Sequence, residues 1–300
     1  MSDHARPVVC ATDLSDASDE AVRQADALAR HVGSPLVVVH ILPNALRHHP
    51  LFPQLYPREA SDLAALEGRA CEAVSERVVA LTGRGAGGFR AEVDTGTPSA
   101  SIVRRAEELN AEAVVVGGRR PADPQKPLLG DTAEKVVRHA HCPVLVARSS
   151  PAGGHVLVAT DLSDPSLPAV QAGAAWARRD RKPLTVLHVL DLQITTIGFN
   201  LEVPPGGFSA LSPDAMADLR RWAGERLAEA LRQTGAEGEP LVEEGWAPDV
   251  ILRVAARLPA ELIVIGTIGR TGIGRMLLGS VAEGVVRRAP CSVLVTRLAR

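Results

Sequence analysis

The chain has 300 residues, a formal net charge of −2, 46% hydrophobic residues and only 3% aromatics. At about 150 residues per domain, the length predicts two domains, with cores of Val, Leu, Ala and Ile rather than rings. Near-neutral charge without a basic tail or stripe argues against nucleic acid as a main partner, and no apolar run approaches the ~20 residues of a membrane span.

The first element is an apolar strand over about residues 7–12. Ser15 then stands where it can cap a helix whose Ala21, Val22, Ala25, Leu28 and Ala29 share one face. A second strand covers about 36–41, followed by a loop rich in proline (Pro43, Pro50, Pro53, Pro57). Residues 61–82 read as a helix, with Leu63, Leu66, Ala70, Val74, Val78 and Leu81 at helical spacing. A third strand runs from Phe89 to Val93, a helix from Ser99 to Leu109, and a fourth strand over 113–117. A helix over about 131–140 and a strand over 143–147 complete this half.

After the turn-rich linker Ser149–Gly154 the plan starts again, so the chain divides into domains 1–149 and 155–300. Val9-Cys-Ala-Thr-Asp13-Leu-Ser15-Asp is repeated as Leu157-Val-Ala-Thr-Asp161-Leu-Ser163-Asp, 148 residues on. Pro35-Leu-Val-Val-Val-His40 returns as Pro183-Leu-Thr-Val-Leu-His188, and Val114-Val-Val-Gly117 as Ile263-Val-Ile-Gly266, by then 149 residues on. The second long helix opens at Ser212-Pro213, a cap residue and a proline at the first helical position. Continuous apolar strands alternating with amphipathic helices predict an α/β fold, an open parallel sheet covered on both faces, with its ligand crevice at the strands' carboxyl ends.

The N-terminal Met-Ser-Asp-His-Ala-Arg-Pro lacks the apolar core of a signal peptide. Cys10, Cys71, Cys142 and Cys291 show no metal-ligand spacing, so no metal site is expected. Buried thiols in a cytoplasmic protein are the reading.

Chemistry concentrates in Gly266-Thr-Ile-Gly269-Arg270-Thr-Gly-Ile-Gly-Arg-Met-Leu-Leu-Gly279-Ser280, between the apolar strand Leu262–Ile265 and a helix. Ser280-Val281-Ala-Glu283 has the form of a capping box. Glycines let backbone approach a ligand closely, and unpaired N–H groups at a helix start favour phosphate oxygens. The bland alternative is a glycine-rich turn that only joins strand to helix.

The spacing Gly-x2-Gly-x9-Gly-Ser resembles the ATP-binding signature of the universal stress protein family, and the resemblance extends over both halves as tandem copies. It implies the strand order 3-2-1-4-5 in each half, a Rossmann-like arrangement of the HUP type. It also implies that ATP, with or without Mg, binds in the second half. There Ala159, Thr160 and Asp161 line the crevice, Asp161 contacts the nucleoside, and the Val189 backbone meets adenine. Gly266 and Gly269 match the turn against ribose and phosphate, Gly279, Ser280 and Val281 hold phosphates, and Arg270 adds positive charge. Two alternatives stay open: Asp161 as an Asx turn, and His188 as a hydrogen-bonded packing residue.

The first half departs from the signature, with Gly117-Gly-Arg-Arg120, nine residues, then Gly130-Asp131. Arg120 replaces the second glycine and Asp131 the serine. Asp131 is read as a helix cap, and its carboxylate stands where phosphate belongs. Like charges ~4 Å apart repel by about 1 kcal/mol in water and by more when partly buried. The expectation is that Arg120 pairs with Asp131 and plugs a degenerate first site of Asp13, Gly117, Arg120, Gly130 and Asp131. The alternative is that Arg119 and Arg120 compensate.

No general base or nucleophile pair stands beside the phosphate loop, so at most slow ATP hydrolysis is expected. The leading reading is a cytoplasmic, ATP-binding stress-response regulator acting on a protein partner, with tandem chains associating as a homodimer. The alternative is a nucleotide-free oligomeric scaffold of the same fold. An ATP-pyrophosphatase would carry Ser-Gly-Gly-x-Asp-Ser where Ala11–Ser15 and Ala159–Ser163 stand. His48-His49 reads as solvent-facing, and Phe52, Tyr56, Phe199 and Phe208 carry no assigned role.

Overall fold

The computed structural model describes residues 5–43, 60–85, 87–118, 130–150, 154–191, 213–267 and 278–297. They form two compact units, one ending at Ser149 and one beginning at Ser150. The first contains β1 (Val8–Thr12), α1 (Asp16–Val32), β2 (Leu36–Pro43), α2 (Ala60–Thr82), β3 (Arg90–Gly96), α3 (Pro98–Glu108), β4 (Ala113–Gly117), α4 (Asp131–His139) and β5 (Val144–Ala147). The second repeats this order as β6 (His155–Ala159), α5 (Leu167–Asp180), β7 (Leu184–Leu190), α6 (Pro213–Thr234), β8 (Glu239–Glu244), α7 (Ala247–Arg257), β9 (Ala260–Gly266), α8 (Ser280–Arg288) and β10 (Ser292–Thr296).

Within the first unit the strands lie in the order β3-β2-β1-β4-β5, and within the second β8-β7-β6-β9-β10. Both are therefore 3-2-1-4-5, and every pairing inside each unit is parallel. The central strands are apolar throughout because helices cover both faces; Val8, Val9, Cys10, Val156, Leu157 and Val158 are all fully buried. Burial pushes the Cys10 thiol far above its ordinary pKa, so it stays protonated and inert. No helix among the described residues is long and apolar enough to cross a membrane.

Three differences from the sequence reading have physical causes. β3 runs on to Gly96 and β2 to Pro43, past the apolar runs, because the register pairs Ile41 with Asp94, Leu42 with Thr95 and Pro43 with Gly96. Backbone pairing on this outer strand does not need apolar side chains. In the second unit a 3-10 turn, Asp164–Ser166, precedes α5. Pro168 has no N–H to give the carbonyl of residue 164, so the first turn tightens. In the first unit, Ser15 occupies the α1 N-cap position without making a side-chain cap bond. Its hydroxyl donates to Asp13 Oδ1 instead, a charged acceptor two residues back.

The two units pack their first helices differently. In the first unit Asp19 and Asp26, one heptad apart on α1 and nearly buried, pair with Arg77 and Arg84, one heptad apart on α2. Leu167 and Ala174 hold the matching positions in the second unit. A volume exchange accompanies this. The second unit has Gly173 on α5 over Val158 on β6, and the repeat positions in the first are Ala25 on α1 and Cys10 on β1, both fully buried. A Cβ on Gly173 would stand 2.2 Å from Val158 Cγ2. Val158 is fully buried and stiff at χ1, so it has nowhere to go.

Gly173→Ala is therefore expected to destabilise the protein by about 1–3 kcal/mol in chemical denaturation. Adding Val158→Cys, which copies the first unit, should recover a substantial part of that loss. Independent, additive losses would contradict the exchange.

Candidate functional site

In both units the turn that leaves the first strand is held by the same set of bonds. The residue after the Asp, Leu14 or Leu162, has a φ of 64° or 63°, a region that costs a leucine on the order of 1 kcal/mol. The turn holds this conformation with local bonds. Leu162 N donates to Thr160 Oγ1 at 3.1 Å, and Ser163 N donates to Asp161 Oδ1 at 3.1 Å. The Ser163 hydroxyl also donates to Asp161 Oδ1. Asp161 thus does form an Asx turn. The first unit reproduces each bond at Leu14–Thr12, Ser15–Asp13 and the Ser15 hydroxyl.

Beneath the turn lies a buried hydroxyl pair, Thr160 Oγ1 and Ser166 Oγ at 2.6 Å, matched by Thr12 and Ser18 at 2.9 Å. The Ser166 hydroxyl is also 2.7 Å from the Ser163 carbonyl, so it binds strand end and helix start together. Sequence reasoning passed over these serines. The signal was present: Ser18 and Ser166 repeat 148 residues apart like the motif before them.

His188 Nδ1 lies 2.9 Å from the Thr160 carbonyl oxygen, and His40 Nδ1 lies 2.8 Å from that of Thr12. A carbonyl can only accept, so the proton sits on Nδ1 and each histidine tethers the second strand to the end of the first. Thr160 N donates to the Leu187 carbonyl at 3.0 Å, tightening the same junction. Ala159 and Thr160 are buried, while Asp161 and Val189 are partly exposed at the carboxyl edge.

The other wall is the carboxyl end of β9 and the start of α8. Gly266 is the last residue of β9, paired with Thr296. Thr267 N donates to the Thr296 carbonyl at 3.1 Å, and Gly279 N donates to the Thr267 carbonyl at 2.8 Å. The two ends of the glycine loop are thereby pinned together at its base. Gly279 leaves little room there, since a Cβ would meet the Thr267 carbonyl oxygen at 3.2 Å.

The cap position corrects the sequence reading. Gly279, not Ser280, is the N-cap of α8, and Gly130, not Asp131, is the N-cap of α4. Ser280 and Asp131 are the first helical residues, so neither has the extended backbone that lets a side chain turn back to cap. The capping boxes accordingly do not form: Glu283 pairs forward with Arg287 at 3.0 Å, and Glu134 with Arg138 at 3.3 Å. The consequence favours anions. Glu283 N takes the Gly279 carbonyl, leaving the N–H groups of Ser280, Val281 and Ala282 without an intrahelical acceptor. Gly279 itself has no side chain with which to cap this end.

The first unit keeps the architecture with different occupants. Gly117 ends β4 so close to α1 that a Cβ would lie 2.7 Å from the Ala17 carbonyl oxygen. Gly118 stands where the second unit has Thr267, and Arg148 runs against it: a Cβ on Gly118 would lie 3.1 Å from Arg148 Nε. The sequence reading missed Arg148, although its repeat, Arg297, marked the position. Gly130 and Asp131 are exposed. Among the described residues no atom lies within 4 Å of a Cβ built on Gly130, unlike Gly279. Arg120 lies outside the described residues, as do Arg119, Gly269, Arg270, Ser212, His48, His49, Phe52, Tyr56, Phe199 and Phe208.

Comparison with known proteins bears on this geometry. The model of the universal stress protein family matches residues 4–148 and again 154–297. A universal stress protein of Mycobacterium tuberculosis is 31% identical over 319 residues, covering 97% of this chain and 96% of its own. One from Mycolicibacterium smegmatis is 28% identical over 299 residues, with the same coverage of 97% and 96%. The crystal structure of a universal stress protein from Archaeoglobus fulgidus shares the fold, with a TM-score of 0.68 at 22% identity and 98% coverage of both chains.

The Asp13 carboxyl is subject to burial, which raises its pKa. The bonds from the Ser15 hydroxyl and the Ser15 N–H lead the interactions that outweigh this and hold it below the ordinary value. Because the folded value is the lower one, its contribution to stability is whole above the unfolded pKa of about 3.9 and is lost as pH falls through the folded pKa. Asp13→Asn should therefore lower the denaturation midpoint more at pH 7 than at pH 3. An equal loss at both would show that the charge is not what the turn holds.

Proposed function

Because the chain belongs to the universal stress protein family, we propose that its second unit binds an adenine nucleotide, ATP foremost, and that the protein acts as a nucleotide-responsive regulator rather than an enzyme. The observation that carries this reading is the open first turn of α8. Three backbone N–H groups stand at the carboxyl edge of a parallel sheet under a glycine cap, where the helix dipole adds to their pull on an anion.

In this reading Gly279, Ser280 and Val281 hold the phosphates, and Gly266 lets the chain pass close to ribose. Gly269 and Arg270, from the loop outside the described residues, complete the cradle, with or without Mg. Asp161, held by Ser163, faces the nucleoside with Ala159 and Thr160 behind it, and the Val189 backbone meets the base. No general base is assigned, so any hydrolysis of ATP is slow. Nucleotide binding would order the glycine loop and alter a surface that a protein partner reads, in a cytoplasmic homodimer of tandem chains.

The first unit is assigned no nucleotide. Asp131 puts a carboxylate on the first turn of α4, where the second unit has the neutral Ser280. A phosphate bound at that helix start and a carboxylate on the same turn repel.

Denaturing the purified protein and counting released nucleotide, with calorimetric titration of ATP into stripped protein, tests the assignment. One adenine nucleotide per chain is expected. Two per chain would show the first unit loaded as well and overturn its exclusion. Gly279→Val should abolish binding, because its side chain meets the Thr267 carbonyl and the phosphate position. Full occupancy in this variant, with an unchanged melting temperature, would contradict the site.

A further inference from the structure

We propose that Trp246 is the platform on which the base of the bound nucleotide stacks in the second unit, so that this residue, absent from the repeat, helps set preference for a purine. The proposal rests on the reading that this unit binds an adenine nucleotide.

Trp246 follows β8 at the carboxyl edge of the sheet. Gly245 N donates to the Leu190 carbonyl at 3.2 Å, which fixes Trp246 beside the end of β7. Val189, assigned to the base, is paired with Glu243 in the same ladder. One strand spacing, about 4.8 Å, separates the two strand ends, well within the reach of an indole. Trp246 is 46% exposed, one of four large apolar residues left open among the described residues. Of the others, Val32, Val79 and Trp222 lie within helices α1, α2 and α6, away from the carboxyl edge.

Two features hold Trp246 there, the bend at Gly245 and a bond to Asp191, and the first unit has neither. Gly245 has a φ of 130°, a bend that needs glycine, whereas its counterpart Gly96 lies outside that region. Trp246 is the N-cap of α7 by position, yet indole offers no acceptor for a helix N–H. That role passes to Asp191, which accepts a long hydrogen bond of 3.4 Å from Ala247 N across 56 residues of sequence. In the first unit the matching residues are Thr97, whose hydroxyl makes no cap bond, and Pro43, which has no carboxylate. With Asp191 accepting from the first helical N–H, the N-cap position of this unit carries an aromatic residue at the carboxyl edge. An aromatic face suits any base, and a purine offers it more surface than a pyrimidine.

Calorimetry with ATP and with inorganic tripolyphosphate, on the full chain, tests this. Trp246→Ala should weaken ATP about tenfold and leave tripolyphosphate unchanged, and Trp246→Phe should restore most of the affinity. In a Trp176→Phe, Trp222→Phe background, ATP should quench the remaining fluorescence, that of Trp246. Wild-type protein that takes up no ATP would remove the nucleotide reading, and this proposal with it. Wild-type binding, with Trp246→Ala equally tight and no quenching, would overturn the stacking role alone. Parallel loss of ATP and tripolyphosphate would also overturn it, by showing a general loss of structure.

Discussion

Parallel pairing is the constraint on which the rest of this protein depends. Strands that run the same way must each be joined by a crossover, so all carboxyl ends gather along one edge and the turns there are free of the hairpin geometry that an antiparallel sheet imposes. The apolar ladders of β1, β4, β6 and β9 are rigid and buried. What they present at their ends is a fixed set of backbone groups to which short polar turns attach. The αL leucine, the hydroxyl pair under it and the histidine tether all serve one junction, and strain at Leu14 and Leu162 persists because these bonds over-determine it.

The two copies have since diverged in ways that a motif comparison alone understates. The first unit ties α1 to α2 with two ion pairs whose carboxylates are nearly buried, and the second has Leu167 and Ala174 in place of those carboxylates. The second fits a glycine over a valine where the first has a buried alanine and a buried cysteine at the repeat positions. At the carboxyl edge the exchanges are chemical: Gly118 for Thr267, Asp131 for Ser280, Thr97 for Trp246. The alanine-and-cysteine to glycine-and-valine exchange roughly preserves volume, and the strand order is the same in both units. The edge exchanges change which ligand a shared scaffold would accept.

Much of the site was legible because it is local. Asp161 and Ser163 are two residues apart, and an Asx turn needs no more than that. The glycines bracketing the phosphate loop announced themselves by spacing. The cap was misplaced by one residue at both α4 and α8, since Ser and Asp are strong cap formers and only the backbone angles distinguish a cap from a first turn. Arg148 and Ser166 were missed because their significance comes from what they touch: a glycine thirty residues away in one case, a strand end in the other.

The amino-acid sequence by itself determined the duplication, the alternation of strands and helices, the parallel sheets and the place of the glycine loop, because these follow from periodicity and repetition along the chain. Tertiary structure alone decided where β2 and β3 stop, which residue caps each helix, and that Asp191 serves a helix 56 residues away. Those features depend on backbone groups finding partners from distant segments, and no local propensity records which partner will arrive.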